Sequence, residues 1–280
     1  LVGSEMCIRD RPDASTELKI AQMYLYGKGS ELNIEEAVKW FQQSSEKNEP
    51  RAMYQMALLY RDGIGIEANE IYAEDLFCKA LAGFLQLEEE TPSAQIEYKI
   101  AGMYARGDGT VQDSEQAFQW YLTAAENGHS HGVYCVAKAY EAGNGTEQNM
   151  DSAIGWYKKA ADSNDTYAMY ALGKLYRDGA GVEMNPVTSF RYFAAAAQLG
   201  NGHAQYACAS ALLHGIGVQK DTGRAIQLYT DASMKGNYYA DYQLGELYSA
   251  GVEVSKDEQL AEQHYAAALN GFLRQEENEP

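Results

Sequence analysis

The sequence predicts an all-α fold, a solenoid of stacked helix pairs, and three periodic observations carry that prediction. A turn glycine recurs at Gly27, Gly63, Gly107, Gly143, Gly179, Gly215 and Gly251, at spacings of 36, 44, 36, 36, 36 and 36 residues. The segment before each glycine repeats an apolar, small and Tyr pattern at helical spacing. An Asn or Asp follows at a constant distance, where a second helix can start. Units of this length cannot bury an apolar face alone, so they stack on one another into a continuous core. Seven helix-turn-helix repeats are expected, starting near Thr16, Ala52, Ile96, Gly132, Ala168, Ala204 and Ala240.

Within the first helix of each unit, helix A, three columns hardly vary. Five residues after each start stand Ala21, Ala57, Ala101, Ala137, Gly173, Ala209 and Gly245. A small side chain there lets two helices approach closely. One residue earlier is an apolar column, Ile20, Met56, Ile100, Val136, Leu172, Cys208 and Leu244. At plus eight stand Tyr24, Tyr60, Tyr104, Tyr140, Tyr176 and Tyr248, with Leu212 as the exception. All three fall on the face that must be buried. The turn is Gly-x-Gly, except that Glu253 replaces the second glycine of the last unit, which is expected to loosen it.

Helix B follows. Asn33, Asn69, Asp113, Asn149, Asn185, Asp221 and Asp257 are its expected N-caps, Pro186 suits the first helical position, and Glu36 and Gln116 sit where a capping box would place them. Its buried face is aromatic and small, as in Ala37/Trp40/Phe41 and Ala153/Trp156/Tyr157.

The one long spacing exceeds the others by eight residues and falls where the second repeat ends in GFLQLEEETP, Gly83–Pro92, which the end of the seventh repeat nearly duplicates as GFLRQEENEP, Gly271–Pro280. Likewise LKIAQMY (Leu18–Tyr24) matches YKIAGMY (Tyr98–Tyr104). The two seams predict a fragment of a longer array. Residues 1–11, LVGSEMCIRDR, lack repeat character and resemble an adapter or vector scar, so the domain is taken as 12–280. The native N-terminus, with any export signal, is then expected to be missing, and cytoplasm and periplasm both stay open as the location.

The consensus AxYxLGxxYxxGxGVxxNxxxxxxYxxAAxxG resembles the Sel-1-like repeat family, a relative of the tetratricopeptide repeats, over Pro12–Phe272. Leu212 for Tyr, Glu253 for Gly and Ser189 for the helix B Ala are modest departures. The resemblance implies a right-handed α-solenoid that serves as an adaptor or scaffold for other proteins, with roles that span quality control, bacterial signalling, envelope regulation and host interaction.

Composition narrows the chemistry. A formal charge of −18 disfavours nucleic acid and anionic membrane surfaces, and no run of 18 apolar residues exists to span a bilayer. The aromatics are lopsided, with 22 Tyr against 7 Phe and 3 Trp. Cys7 lies outside the repeats; Cys78, Cys135 and Cys208 form no repeating pair and are expected to be small buried residues. His129 and His131 could face one ion, but without acidic or thiol ligands a solvated pair is expected. The Gly-x-Gly sites lack the strand–turn–helix context and the Lys of a phosphate loop. No catalytic, cofactor or metal residues are assigned.

The candidate surface is the other side of helix A. At plus two stand Tyr54, Tyr98, Tyr134, Tyr170, Tyr206 and Tyr242, suited either to packing between repeats or to partner contact. The columns at plus six and plus nine vary; the resemblance to tetratricopeptide-like stacks, in which helix A lines the concave side, implies that they would face a guest. Helix A of repeats two to five carries six basic residues, Arg61, Lys99, Arg106, Lys138, Lys174 and Arg177, against four acidic ones, Asp62, Glu97, Glu141 and Asp178. The expected partner-binding residues are Arg61, Arg106, Lys138, Glu141, Tyr170, Lys174 and Arg177, and the expected guest is a protein or an acidic or aromatic peptide segment. Two alternatives stay open: an exported envelope or host-interaction protein, and an enzyme or ligand-binding protein with an inter-repeat pocket.

Overall fold

Two kinds of helix alternate along the chain. The computed structural model describes residues 12–251 and 254–278, with side chains through residue 275. The described residues hold fourteen helices and no strand: α1 (Ala14–Tyr26), α2 (Ile34–Glu46), α3 (Pro50–Asp62), α4 (Glu70–Glu90), α5 (Ala94–Arg106), α6 (Ser114–Glu126), α7 (Ser130–Ala142), α8 (Met150–Asp162), α9 (Thr166–Asp178), α10 (Pro186–Gln198), α11 (Gly202–His214), α12 (Thr222–Ser233), α13 (Tyr238–Ala250) and α14 (Glu258–Asn278). Odd-numbered helices are helix A and even-numbered ones helix B. Among the described residues, those up to 132 together with 144–147 form one compact unit, and 133–143 with those from 148 onward form a second.

Backbone chemistry explains why each pair forms. Every first turn glycine lies in the left-handed region, from Gly27 at φ 63° to Gly251 at φ 64°, a conformation that side chains disfavour. The chain then returns to the cap of helix B. All seven expected caps accept the amide three residues on, for example Asn149 Oδ1 from Ser152 N at 2.9 Å and Asp257 Oδ1 from Leu260 N at 3.0 Å. The capping box does not form at Asn33 or Asp113. Each cap's own N–H is already donated to the carbonyl of the plus-eight residue, as in Asn33 N to Tyr24 O at 3.0 Å. Asp221 N makes the same bond to Leu212 O at 2.9 Å, so a backbone acceptor tolerates Leu where the other repeats have Tyr.

Helix A begins two residues before the repeat starts assigned from the sequence, and its caps were missed. Asp13, Asp165, Asn201 and Asn237 accept the amides of Thr16, Ala168, Ala204 and Ala240. In the fourth repeat the cap is His129: its Nδ1 accepts Gly132 N at 3.0 Å, and its ring stacks on Tyr98 at 4.1 Å. This corrects the expectation of a solvated His129–His131 pair. Burial and the nearby His131 hold the His129 imidazole below its usual range.

The plus-four and plus-five columns are buried apart from a half-buried Ile20, whereas the plus-eight tyrosines are half-buried. Ser189 is buried, and its Oγ donates to Gly173 O at 2.7 Å, which accommodates a hydroxyl in the Ala column. The cysteines depart from expectation. Only Cys208 is buried, Cys135 is intermediate, and Cys78 is exposed, with its S–H directed at Gly109 O at 3.5 Å. Cys7 and Glu253 lie outside the described residues.

Helix length also has a local cause. In five repeats the residue thirty-two after the start is left-handed: Asn48 (φ 61°), Gly128 (90°), Asn164 (62°), Gly200 (89°) and Gly236 (80°). Repeats two and seven carry Phe84 and Phe272 there. With no residue to reverse the chain, α4 and α14 run to 21 residues while most other helices have 13.

Candidate functional site

In the second unit, α7 and α9 form the walls of an open concavity of about 300 Å³. Tyr134, Lys138 and Glu141 come from α7, Tyr170, Lys174 and Asp178 from α9, and Tyr157 from α8. Helical spacing explains the grouping: plus two, plus six and plus nine are three to four residues apart and share one face. Four of the seven expected residues, Lys138, Glu141, Tyr170 and Lys174, therefore meet here.

The side chains differ in how far they are already engaged. Lys138 and Lys174 are exposed, and neither makes an ion pair among the described residues. Glu141 accepts a hydrogen bond from the buried Tyr157 hydroxyl at 2.5 Å. Burial pushes the Tyr134 phenol up to about 12. It also raises Tyr157, with Glu141 adding to the effect. These hydroxyls stay protonated and serve as neutral polar tips on apolar walls.

A second concavity, about 240 Å³, lies between α9, α10 and α11. Tyr170, Phe190, Phe193, Tyr206 and Ile216 line it, with Arg177 at its edge. Arg177 is tied to Asp178 through Nε at 2.8 Å and Nη2 at 3.0 Å, which holds the Asp178 carboxyl below its usual range.

Arg61 and Arg106 lie in the first unit and form a different arrangement. Arg106 Nε meets Asp108 at 2.8 Å, and its Nη2 donates to the Tyr54 hydroxyl at 2.8 Å. Arg61 bonds Asp62 at 2.9 Å and lies 3.7 Å from Asp108. Lys99 Nζ sits 4.8 Å over the Tyr54 ring, and burial, then the Arg106 charge, holds that ammonium below its usual range. This network is largely self-satisfied. Glu97, counted on the groove side from sequence, is buried instead, bonded to Asn127 Nδ2 at 2.6 Å.

The plus-two tyrosines prove to be a packing relay. Each ring meets a helix B aromatic of its own repeat: Tyr134 and Tyr157 at 5.9 Å, Tyr170 and Phe193 at 5.6 Å, Tyr206 and Tyr229 at 5.6 Å. Several also meet the residue just before the next repeat's start: Tyr98 and His131, Tyr134 and Tyr167, Tyr170 and His203 at 5.9 Å, Tyr206 and Tyr239 at 6.3 Å. Tyr170 therefore packs between repeats and borders both concavities. Among the described residues, no group of three or more His, Cys, Asp or Glu could hold a metal ion, and no helix is long and apolar enough to cross a membrane.

The Sel1 repeat matches residues 14–49, 50–83, 95–129, 133–165, 166–201, 202–237 and 239–271. The chain belongs to the Sel1 repeat family. Its fold is accordingly an all-α solenoid of seven Sel1 units. A Sel1 repeat protein from Oxalobacter formigenes is 25% identical with a TM-score of 0.68, over 92% of this chain and 97% of that one. A protective antigen of uropathogenic Escherichia coli with this fold is 26% identical with a TM-score of 0.64 over 92% of this chain. The chain spans 54% of that antigen's length. Comparison with curated protein sequences finds no match. Sel1 repeat proteins are generally non-enzymatic scaffolds for protein–protein interaction.

Proposed function

We propose that this Sel1 protein is a non-enzymatic adaptor that binds a protein or peptide segment along its helix A surface. The α7–α9 concavity is the point of engagement. The observation that carries this reading is the pair Lys138 and Lys174, two exposed, unpaired ammonium groups beside tyrosine rings in a chain of net charge −18. Ammonium groups next to flat aromatic walls suit a segment that combines carboxylates with apolar or aromatic side chains. Arg177, already paired with Asp178, has less charge to offer, and Arg61 and Arg106 act mainly within their own network.

The test is partner capture with a photo-crosslinker placed at Lys174. A stoichiometric partner whose binding is lost in Lys138→Glu/Lys174→Glu, and kept in Lys158→Glu on the exposed side of α8, supports the reading. Equal binding by both variants overturns it. The likeness to a protective antigen favours a second reading, an exported protein acting at the envelope or on a host. Fractionation of cells carrying the native gene separates this reading from a cytoplasmic adaptor.

A further inference from the structure

The two concavities of the second unit are built from the same columns, one repeat apart, and differ in polarity. In the α7–α9 concavity the plus-nine residue is Glu141, the helix B aromatic is Tyr157 and the next repeat's plus-six residue is Lys174. Between α9, α10 and α11, Arg177, Phe193 and Ser210 take those places. Phe193 lacks the hydroxyl through which Tyr157 bonds Glu141, and Ser210 is short where Lys174 is long. With Ala207 beside it, the short Ser210 leaves a space of about 240 Å³ open among the rings of Tyr170, Phe190, Phe193 and Tyr206.

The mouth of this cavity is apolar as well. Met184 is 62% exposed, Val187 55% and Ile216 50%. A Cβ on Gly217 would lie 2.1 Å from Pro186 O and 2.8 Å from Val187 N, so the turn after α11 seats directly on the start of α10 and holds Ile216 at the rim. Scattered exposed apolar residues need no explanation. A group of them around an aromatic-walled cavity marks a recognition surface.

Volume and chemistry select the occupant. An apolar cavity of about 150 Å³ holds benzene, and sites for whole small molecules start at roughly 300 Å³. At about 240 Å³ this one suits a single aromatic side chain. Aromatic walls favour a ring, and Arg177 at the edge brings a guanidinium that can stack on it. Lys138 and Lys174 stand in the adjacent concavity, with Tyr170 common to both. Neighbouring helix layers are about 10 Å apart, a span that extended chain crosses in about three residues.

We infer that the α9–α10–α11 cavity receives an aromatic side chain of an acidic partner segment, about three residues along that segment from a carboxylate held by Lys138 and Lys174. The carboxylate half rests on the function proposed above; the aromatic half rests on the cavity alone. The ring sets the register of the segment, and the ammonium groups add charge attraction.

The probe is the peptide acetyl-Glu-Glu-Gly-Gly-Phe-amide, titrated into the full 280-residue chain and followed by NMR, beside the same peptide with Ala in place of Phe. Burial of the Phe side chain should make the first peptide bind about tenfold or more tighter than the second, with contacts from its ring protons to the Met184 and Ile216 methyl groups. Ala207→Leu fills the cavity. The plus-three column carries Lys19, Gln55, Lys99 and Gln243 in other repeats, so the fold accepts a longer side chain there, which a thermal melt by circular dichroism checks. This variant should bind the two peptides equally. Lys138→Glu/Lys174→Glu should weaken both peptides and keep the preference for Phe. Equal binding of the two peptides by the wild type, binding of neither, or a Phe preference that survives Ala207→Leu overturns the inference. A Phe preference lost only in Ala207→Leu, with no loss of affinity in the lysine variant, upholds the cavity assignment and overturns the carboxylate half.

Discussion

Gly173 in α9 offers the most direct test of what the small column does. A Cβ added there would lie 2.5 Å from both Cδ1 and Cε1 of Phe193, about an ångström inside normal contact. Phe193 is buried and packs on Tyr170 at 5.6 Å, so it cannot retreat without breaking the relay. Overpacking of this size costs roughly 3 kcal/mol, the upper part of the usual range. Ala in place of Gly inside a helix offsets about 1 kcal/mol. Gly173→Ala should therefore destabilise the protein by about 2 kcal/mol.

Gly155, inside α8, is the matched control, because an added Cβ there meets no atom within 4 Å. Gly155→Ala should stabilise by roughly 0.5–1 kcal/mol. At roughly 2–4 °C per kcal/mol for chains of about this size, thermal melts by circular dichroism should separate the two variants by several degrees in opposite directions. In a Phe193→Leu background the cost of Gly173→Ala should shrink, since the two changes share one space. A Gly173→Ala protein that melts at or above Gly155→Ala would show that close approach at this column is not what selects glycine.

Two further outcomes follow from individual bonds. Asn149→Ala removes the acceptor for Ser152 N and should lower the urea unfolding free energy by about 1 kcal/mol, with Asn149→Asp within a few tenths of wild type. Glu97 is buried, with Oε2 unpartnered, and burial raises its carboxyl above the model-peptide value of 4.5, with Glu88 adding to the rise. The folded state then holds this proton more tightly than the unfolded chain. The stability it lends is complete below 4.5 and is lost as pH rises through the folded value. Glu97→Gln should match wild type just below that window and exceed it in stability above, whereas a wild type that gains on the variant with rising pH would reverse the sign.

The parts legible in the sequence are those written by single residues with one backbone role. The turn glycines and the helix B caps have fixed chemistry at fixed spacing, so the helix pairs followed from them. The helix A caps were harder to see because the role passes among Asp13, His129, Asp165, Asn201 and Asn237. The length of α4 was legible as an extension, but its cause was not. That cause is the absence of a left-handed Asn or Gly, visible only once Asn48 and Asn164 are known to adopt positive φ. At the candidate site, spacing put Lys138 and Lys174 at equivalent positions of helix A, and both line the α7–α9 concavity. It could not tell that Arg177 and Glu141 would find internal partners in Asp178 and Tyr157.

That last distinction orders the helix A surface. A column that repeats can be satisfied by its neighbours in the next unit, which is what the plus-two tyrosines do with Tyr167, His203 and Tyr239. A column that varies has no periodic neighbour to meet, so its residues are absorbed locally or remain open. At plus nine, Arg61 and Arg177 are each followed by an aspartate that takes the guanidinium. At plus six, Lys138 and Lys174 have no such neighbour, and their ammonium groups keep their capacity for an incoming carboxylate. Replacing Asp178 by Asn would release Arg177 from its ion pair and remove the carboxylate beside Lys174, leaving the α7–α9 wall more positive. If partner affinity rose in that variant and fell again on Lys174→Glu, charge at this face would be the quantity the partner reads.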